Sequence, residues 1–305
     1  MLVNKSFPAK ILLFGEYSVI RDSKALATPY NLFDGKLIFP VENLREIDNE
    51  LQALALYLSR KIKKNDLSFD FDIRSFNFDV SGGLRFESSI PQGYGAGSSG
   101  ALCAAIFNQY SSIDKSSVHD ISYLKSCLSE LESHFHGSSS GVDPLISYLN
   151  SPLLIDANRE LKNVTIPKFT NKTGGGIFLL NTGRARRTEP LVSLFLEKCS
   201  SKDFAYLCDR VLKPISDRCI DSLLSKDLES LLENFKDLSI FQTENFEAMI
   251  PHLYRDLWLQ GIQDDSFYLK LCGAGGGGFL LGITTSFRNL PEDIAGMNIR
   301  PLIEF

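Results

Sequence analysis

One stretch of the chain, Ile90–Leu102, combines residue types that suit phosphate binding. A predicted strand, 84–90, runs into a turn with three glycines in five residues, and Ser98 and Ser99 then open an apolar run typical of a helix. Glycine lacks Cβ, so its backbone can approach a ligand closely, and the first amides of a helix can donate to an anion. Either serine could cap the helix or place its hydroxyl on a metal ion. No P-loop lysine follows, so the stretch predicts either another kind of phosphate cradle or a tight turn.

A second glycine run, Gly273–Gly278, lies between two predicted strands at 266–272 and 279–283. By itself it predicts a hairpin turn. Four successive glycines, Gly275–Gly278, weaken a strand through backbone entropy, so a purely structural role would be costly.

Several charged or titratable residues each allow two interpretations. Lys10 stands at the head of an apolar run, where a surface lysine commonly covers apolar surface with its stem, and Glu16 could be a solvated turn residue. His134 and His136 could bind a metal, but without a third clustered ligand they favour a packed or solvent-facing pair. The Ser/Gly stretch 137–141 is typical of a flexible loop, but its close apolar flanks argue against a linker.

Hydrophobic periodicity predicts the elements that position these residues. Helical spacing indicates a helix over Asn49–Lys63, with Asp48 as its cap. Alternating apolar residues over 67–90 predict strands, and further short strands are expected at 26–28 and 37–39.

Bulk composition is that of an ordinary globular protein. The 305 residues suffice for two domains, and 44% are hydrophobic, 23% are charged and the net charge is −5. No long basic stripe is present, which speaks against nucleic acid as a partner. The six cysteines are scattered without a CxxC pair, which fits a reducing compartment and not a zinc framework. No signal pattern or membrane-spanning run is found, so we expect a cytoplasmic protein that does not bind membranes.

Three separated stretches together resemble the signature motifs of the GHMP kinases, the superfamily of galactokinase, homoserine kinase, mevalonate kinase and phosphomevalonate kinase. They read PAKILLFGEYSVI from Pro8, PQGYGAGSSGAL from Pro91 and KLCGAGGGGFLLG from Lys270. The resemblance implies an α/β (α+β) two-domain GHMP kinase fold. Its N-terminal domain, 1–170, would be like the second domain of ribosomal protein S5, and its C-terminal domain, 171–305, would be ferredoxin-like.

The resemblance also implies ATP as cosubstrate. The second motif would wrap its phosphates, and the third motif would support the site from the second domain. The residues implied are Pro91, Gly93, Tyr94, Gly95, Ala96, Gly97, Ser98, Ser99 and Gly100, with Gly275 and Gly276.

Within the superfamily, the segment from Glu132 to Asp143 resembles the E-x3-HGxxSGVD segment of mevalonate kinases. That match implies Asp143 as the catalytic carboxylate and Glu132 as a Mg²⁺ ligand, joined by the hydroxyl of Ser99. Mg²⁺ keeps several waters and phosphate oxygens, so few protein ligands suffice. Lys10 matches the active-site lysine, whose charge could lower the pKa of Asp143 and steady the attacking oxygen.

Substrate contacts are implied by two further matches. Glu16 and Tyr17 follow the first motif, and the loop from Asn181 resembles the NTxxPRxT segment, which places Arg186 and Thr188 near a substrate carboxylate. Five departures from the family pattern occur, and they are Ala9 for glycine, Tyr17 for histidine, Ala96 for leucine, Gly100 for alanine and Ala185 for proline.

The expected reaction is transfer of the γ-phosphoryl group of ATP to the primary hydroxyl of mevalonate, a small hydroxy acid. Phosphomevalonate kinase is the nearest alternative, since Arg184 and Arg187 would suit a phosphorylated acceptor. A binding protein on the same fold without catalysis is a third possibility. The sequence leaves monomer and homodimer open.

Overall fold

The structure is a computed structural model, and it describes residues 5–40, 47–112, 120–169, 174–185, 189–291, 294, 297 and 299–305. These residues divide into two compact units that interleave along the chain. Unit 1 comprises residues 1–10, 29–91 and 96–151, and unit 2 comprises 11–28, 92–95 and 152–305. Residues 170–173, where the sequence predicts the domain boundary, lie outside the described part, and that boundary stays a prediction.

The described residues of unit 1 form five α-helices. They are α1 (Asn49–Lys63), α2 (Ile73–Ser81), α3 (Ser98–Tyr110), α4 (Ile121–His136) and α5 (Val142–Leu149). Helix α3 is buried on all sides from Gly100 to Phe107, so it forms the centre of this unit's core. Helices α2, α4 and α5 pack around it.

The strands in the first half of the chain are short except for the first two. They are β1 (Phe7–Phe14), β2 (Ala25–Ile38), β3 (Asp70–Phe71), β4 (Arg85–Ser88), β5 (Ser111–Ser112), β6 (Leu153–Ile155) and β7 (Leu161–Asn163). The two short strands expected at 26–28 and 37–39 are one continuous strand, β2. Its end pairs with β4 within unit 1, and its start pairs with β6 within unit 2.

The prediction of strands over 67–90 is correct for β4 and wrong for α2. Phe76 is fully buried and Val80 is 4% exposed, whereas Phe78 between them is 79% exposed, so burial follows the helical i, i+4 spacing. The side chain of Asp72 accepts hydrogen bonds from the backbone amide and the hydroxyl of Ser75 and caps this helix. The cap at Asp72 and the burial of Phe76 and Val80 on one face together favour a helix over the strand that the alternating pattern predicts.

Among the described residues of unit 2, a separate sheet has four strands, β8 (Gly176–Asn181), β9 (Phe267–Leu271), β10 (Phe279–Thr284) and β11 (Ile299–Glu304). Their order across the sheet is β11-β8-β10-β9, and all neighbours are antiparallel. This is the strand order of a ferredoxin-like domain. The glycine run joins β9 to β10, as the sequence predicts.

Five α-helices precede β9 in the described part of unit 2. They are α6 (Glu189–Cys199), α7 (Lys202–Leu207), α8 (Lys213–Ser225), α9 (Leu228–Asn245) and α10 (Arg255–Gln263), and a π-helical turn, Cys208–Leu212, links α7 to α8. Trp258 is completely buried, and its indole N–H donates to the hydroxyl of Ser239 over 2.7 Å. In the described part of the chain, no helix has the length and apolarity that crossing a bilayer requires.

Candidate functional site

The loop that leads into α3 has the backbone conformation of an anion cradle. Gly93, Gly95 and Gly97 have φ of 74°, 70° and 75°, whereas Tyr94 and Ala96 between them are not in the positive-φ region. Alternation of this kind turns successive backbone N–H groups toward one concave side, where they can bind an anion. Glycine is required at all three positions, because side chains disfavour this conformation.

Helix α3 begins without a side-chain cap, unlike several other helices. Asp48, Asp72, Asp120 and Asp227 each accept backbone N–H bonds at the start of α1, α2, α4 and α9. The N-cap of α3 is Gly97, so the predicted serine cap is wrong and both serines lie in the first turn. The positive end of this helix is therefore available to an anion such as phosphate.

Lys10 and Asp143 form an ion pair beside this helix start. The Lys10 Nζ lies 2.9 Å from Asp143 Oδ2, and the side chains are 12% and 38% exposed. The Lys10 amide donates to the Ala96 carbonyl over 2.9 Å, which ties β1 to the loop. A Cβ on Gly97 would lie 2.8 Å from Lys10 Cγ, so glycine at this position makes room for the lysine stem. Lys10 is therefore an oriented, mostly buried side chain and not a surface lysine.

The position of Asp143 is set by close packing of α3 against α5. A Cβ on Gly100 would lie 2.9 Å from the carbonyl carbon of Asp143 and from the nitrogen of Pro144. Gly141 precedes α5 with φ 73°, and a Cβ there would lie 2.3 Å from the carbonyl oxygen of Lys125. Asp143 lies in the first turn of α5.

Glu132 on α4 is buried, and two serine hydroxyls donate to its carboxylate. Ser99 Oγ donates to Oε1 over 3.3 Å, and Ser139 Oγ donates to Oε2. Burial first, and the negative charge of Asp143 second, raise the pKa of Glu132 from 4.5 to about 7, and Lys10 opposes this rise. The carboxylate is therefore a poorly compensated anion, and a nearby cation would stabilise it.

Ser99 and Glu132 offer oxygen donors of the kind that Mg²⁺ prefers. No group of three or more His, Cys, Asp or Glu side chains suited to a metal ion occurs among the described residues. A Mg²⁺ ion that keeps waters and phosphate oxygens needs only one or two carboxylates, so the donor pair fits this ion.

His136 joins this cluster, which the sequence did not predict. Its Nε2 lies 3.0 Å from Ser99 Oγ, whereas the ring of His134 packs against Tyr57 with centroids 5.0 Å apart. Of the two histidines, His134 is packed against an aromatic ring and His136 contacts Ser99. The i, i+4 spacing of Glu132 and His136 on one helix was the available signal, because such residues share a face.

In unit 2, close backbone contacts require the glycines of the Gly273–Gly278 run. A Cβ on Gly275 would lie 2.4 Å from the Met249 carbonyl oxygen, and a Cβ on Gly278 would lie 2.8 Å from Tyr94 Cα. The Gly276 amide donates to the same Met249 oxygen over 2.5 Å. The run is thus a packed loop of defined shape.

The structure buries two predicted substrate ligands in unit 2. Glu16 is 3% exposed and Tyr17 is 4% exposed, and each contacts protein groups through its polar end. These contacts give both residues a structural role, and their contact with substrate stays a prediction. Arg186 and Thr188 lie outside the described residues.

Comparison with known proteins agrees with this fold. Residues 49–151 match the GHMP kinases N terminal domain. The mevalonate kinase of Dictyostelium discoideum is 22% identical over 347 aligned residues, covering 92% of this chain and 87% of that protein. The crystal structure of L. major mevalonate kinase in complex with R-mevalonate has a TM-score of 0.61 at 16% identity, with 94% of this chain and 89% of that chain covered.

Streptococcus pneumoniae phosphomevalonate kinase, in complex with phosphomevalonate and AMPPNP, has a TM-score of 0.65 at 13% identity. That match covers 100% of this chain and 99% of the other. The chain therefore has the GHMP kinase fold, and residues 49–151 match the N-terminal domain of that superfamily.

Proposed function

We propose that this chain, which has the GHMP kinase fold, is an ATP-dependent kinase that phosphorylates the primary hydroxyl of mevalonate. The observation that carries the proposal is the Lys10–Asp143 pair, with 2.9 Å between Nζ and Oδ2. The pair stands in one unit with the uncapped start of α3 and with Ser99 and Glu132. A carboxylate beside a lysine and an anion-binding helix start are the parts that phosphoryl transfer to an alcohol requires.

Each side chain has a defined part in the proposed transfer. Asp143 accepts or orients the proton of the attacking hydroxyl, and Lys10 stabilises the oxygen as it becomes negative. The glycine loop and the first amides of α3 hold the phosphates of ATP, and Gly275 and Gly276 support the nucleotide. When bound to Ser99 and Glu132, Mg²⁺ would offset the charge of the phosphates.

Two observations bear on the acceptor. The curated relative is a mevalonate kinase, and one structural relative was solved with R-mevalonate. The second candidate acceptor is phosphomevalonate, because a relative solved with that ligand covers the whole chain and because Arg184 is exposed in unit 2. We favour mevalonate, since the resemblance over Glu132–Asp143 is to the mevalonate kinases.

The acceptor is tested by measuring ADP release in a coupled assay with mevalonate, phosphomevalonate, galactose and homoserine in parallel. We expect turnover with mevalonate at a kcat/KM at least about tenfold above that with any other acceptor, a difference of roughly 1.4 kcal/mol. Turnover with phosphomevalonate but not with mevalonate would establish the second candidate instead.

The role of Asp143 is tested by the Asp143→Asn substitution. We expect kcat to fall by about 10² to 10⁴ while the Kd for ATP stays within about threefold of the wild-type value. Asp72→Asn is the matched control, because asparagine caps a helix as well as aspartate and this variant should keep full activity. Near-normal turnover by Asp143→Asn would exclude Asp143 as the catalytic carboxylate.

A further inference from the structure

Unit 2 contains an ion pair that is almost completely removed from solvent. Lys270 on β9 is 0% exposed, Glu16 is 3% exposed, and Nζ lies 2.8 Å from Glu16 Oε1. The ammonium group also donates to the Leu271 carbonyl over 2.6 Å and lies 5.4 Å from the centroid of the Phe14 ring. Two charges this deep are held at a desolvation cost that their attraction offsets only with good geometry.

Gln242 on α9 fixes the geometry of this pair from a third element. Its Nε2 donates to Glu16 Oε1 over 2.8 Å, and its Oε1 accepts from the Leu271 amide over 2.8 Å. The side chain thereby joins the segment after β1 to the end of β9. The side-chain amide of Gln242 is buried, and both its nitrogen and its oxygen are hydrogen-bonded. Helix α9, the segment after β1 and strand β9 therefore restrain one another.

A second contact joins the segment after β1 to the chain that follows β9, and this contact lies within the glycine run. Tyr17, the residue after Glu16, has φ 62°, and its hydroxyl donates to the Ala274 carbonyl over 2.5 Å. Its ring packs on Phe195 and Phe246, with centroid separations of 4.8 and 5.1 Å. A positive φ at a tyrosine is strained, and such strain persists only where the surrounding contacts over-determine the conformation.

From these contacts we infer that Glu16 and Lys270 are positioning residues that hold the Gly273–Gly278 loop in its shape, and that neither binds substrate. Lys270 lies three residues before Gly273, and Glu16 acts on the loop through Lys270 and through Tyr17. The inference rests on the proposed function in one respect, namely that the glycine loop supports the nucleotide. Replacing a buried ion pair by apolar residues of similar volume is often neutral or stabilising, so we assign the charges of Glu16 and Lys270 to orientation and not to stability.

A double-mutant cycle tests this inference, and it compares Glu16→Gln, Lys270→Met and the double variant with the wild type. Each single variant leaves an uncompensated buried group, so we expect Tm to fall by roughly 10 °C. The Kd for AMPPNP with Mg²⁺, measured well below Tm, should rise by about tenfold or more, and the acceptor KM should stay unchanged. The double variant removes both charges and should recover most of both losses.

The matched control breaks an exposed pair in the same unit. Lys236 Nζ lies 2.5 Å from Asp265 Oδ1, with side chains 37% and 64% exposed, so Lys236→Met should change Tm by about 2 °C or less. Tyr17→Phe provides a second test if a single charge variant does not fold. It removes only the hydroxyl bond to the loop and should weaken AMPPNP binding about threefold with little change in Tm.

Three results would overturn the inference. One is a raised acceptor KM in Glu16→Gln that the second substitution does not relieve, because that marks Glu16 as a substrate ligand. The second is a lowered Tm with unchanged AMPPNP affinity in both single variants, which is a purely structural role. The third is normal AMPPNP binding by Tyr17→Phe while the double variant also fails to fold. Failure of the wild type to phosphorylate mevalonate is a separate result, since the Tm and AMPPNP measurements need no turnover.

Discussion

Without metal, Glu132 should make the stability of the protein fall as pH rises from 5 to 7. The folded-state pKa of this carboxyl is about 7, against 4.5 for its ordinary value. Because the folded state holds the proton more tightly, the stabilisation is fully present below pH 4.5 and is lost as pH rises through 7. The difference of 2.5 pKa units, at about 1.36 kcal/mol each, corresponds to roughly 3 kcal/mol, of which about 2 kcal/mol is lost between pH 5 and 7.

The measurement is urea unfolding of the wild type and of Glu132→Gln, in EDTA, at intervals from pH 5 to 8. Other groups titrate over the same range, so the quantity of interest is the difference in unfolding free energy between the two proteins. We expect the wild type to lose about 2 kcal/mol relative to the variant over this interval. Parallel curves for the two proteins would refute the reasoning, because Glu132 would then have the same pKa folded and unfolded.

Two further predictions concern the neighbours of Glu132. Lys10→Met should lower kcat by about 10² to 10³, since an oriented charge at the reacting oxygen is lost. The same change should raise the pKa of Glu132 further, because the charge of Lys10 lowers it. In the urea unfolding series in EDTA, the loss of unfolding free energy should then occur at higher pH than in the wild type. A loss at the same pH would contradict the described geometry. Gly100→Ala places a Cβ 2.9 Å from the backbone of Asp143 and should cost about 1 to 3 kcal/mol of overpacking, partly offset by about 1 kcal/mol of helix propensity. Its kcat should fall at least about tenfold, and unchanged kcat would show that α5 adjusts freely.

The elements that local signals determine could be predicted from the sequence. The predicted and observed bounds of α1 agree, because its apolar spacing and the cap at Asp48 both act within a few residues. The turn before α3 and the hairpin around the glycine run were also local, since glycine is required wherever φ is positive. By contrast, the alternating apolar residues at Phe76, Phe78 and Val80 predict a strand, whereas the cap at Asp72 is the local signal for the observed α2.

The parts of the site that depend on long-range packing could not be predicted from the residues alone. Nothing near Glu16 in the sequence indicates that a lysine 254 positions later will be buried against it. The spacing of Lys10 and Asp143 likewise gave no sign of their contact, which the resemblance to a family suggested and the packing of Gly97 and Gly100 explains. Such pairs depend on which elements meet, and that is set by the whole core.

The N-cap residues of helices α3 and α5 are Gly97 and Gly141, so neither helix has a side-chain cap. An aspartate or serine cap commonly adds about 1 kcal/mol to a helix, and four helices of this chain have an aspartate in that place. At α3 an added carboxylate would occupy the space reserved for an anion and repel it. A selection for heat-resistant variants should therefore recover new caps at exposed helix starts and reject them at Gly97. Rejection at Gly97 has a steric cause as well, because its φ is 75° and a Cβ there would lie 2.8 Å from Lys10 Cγ.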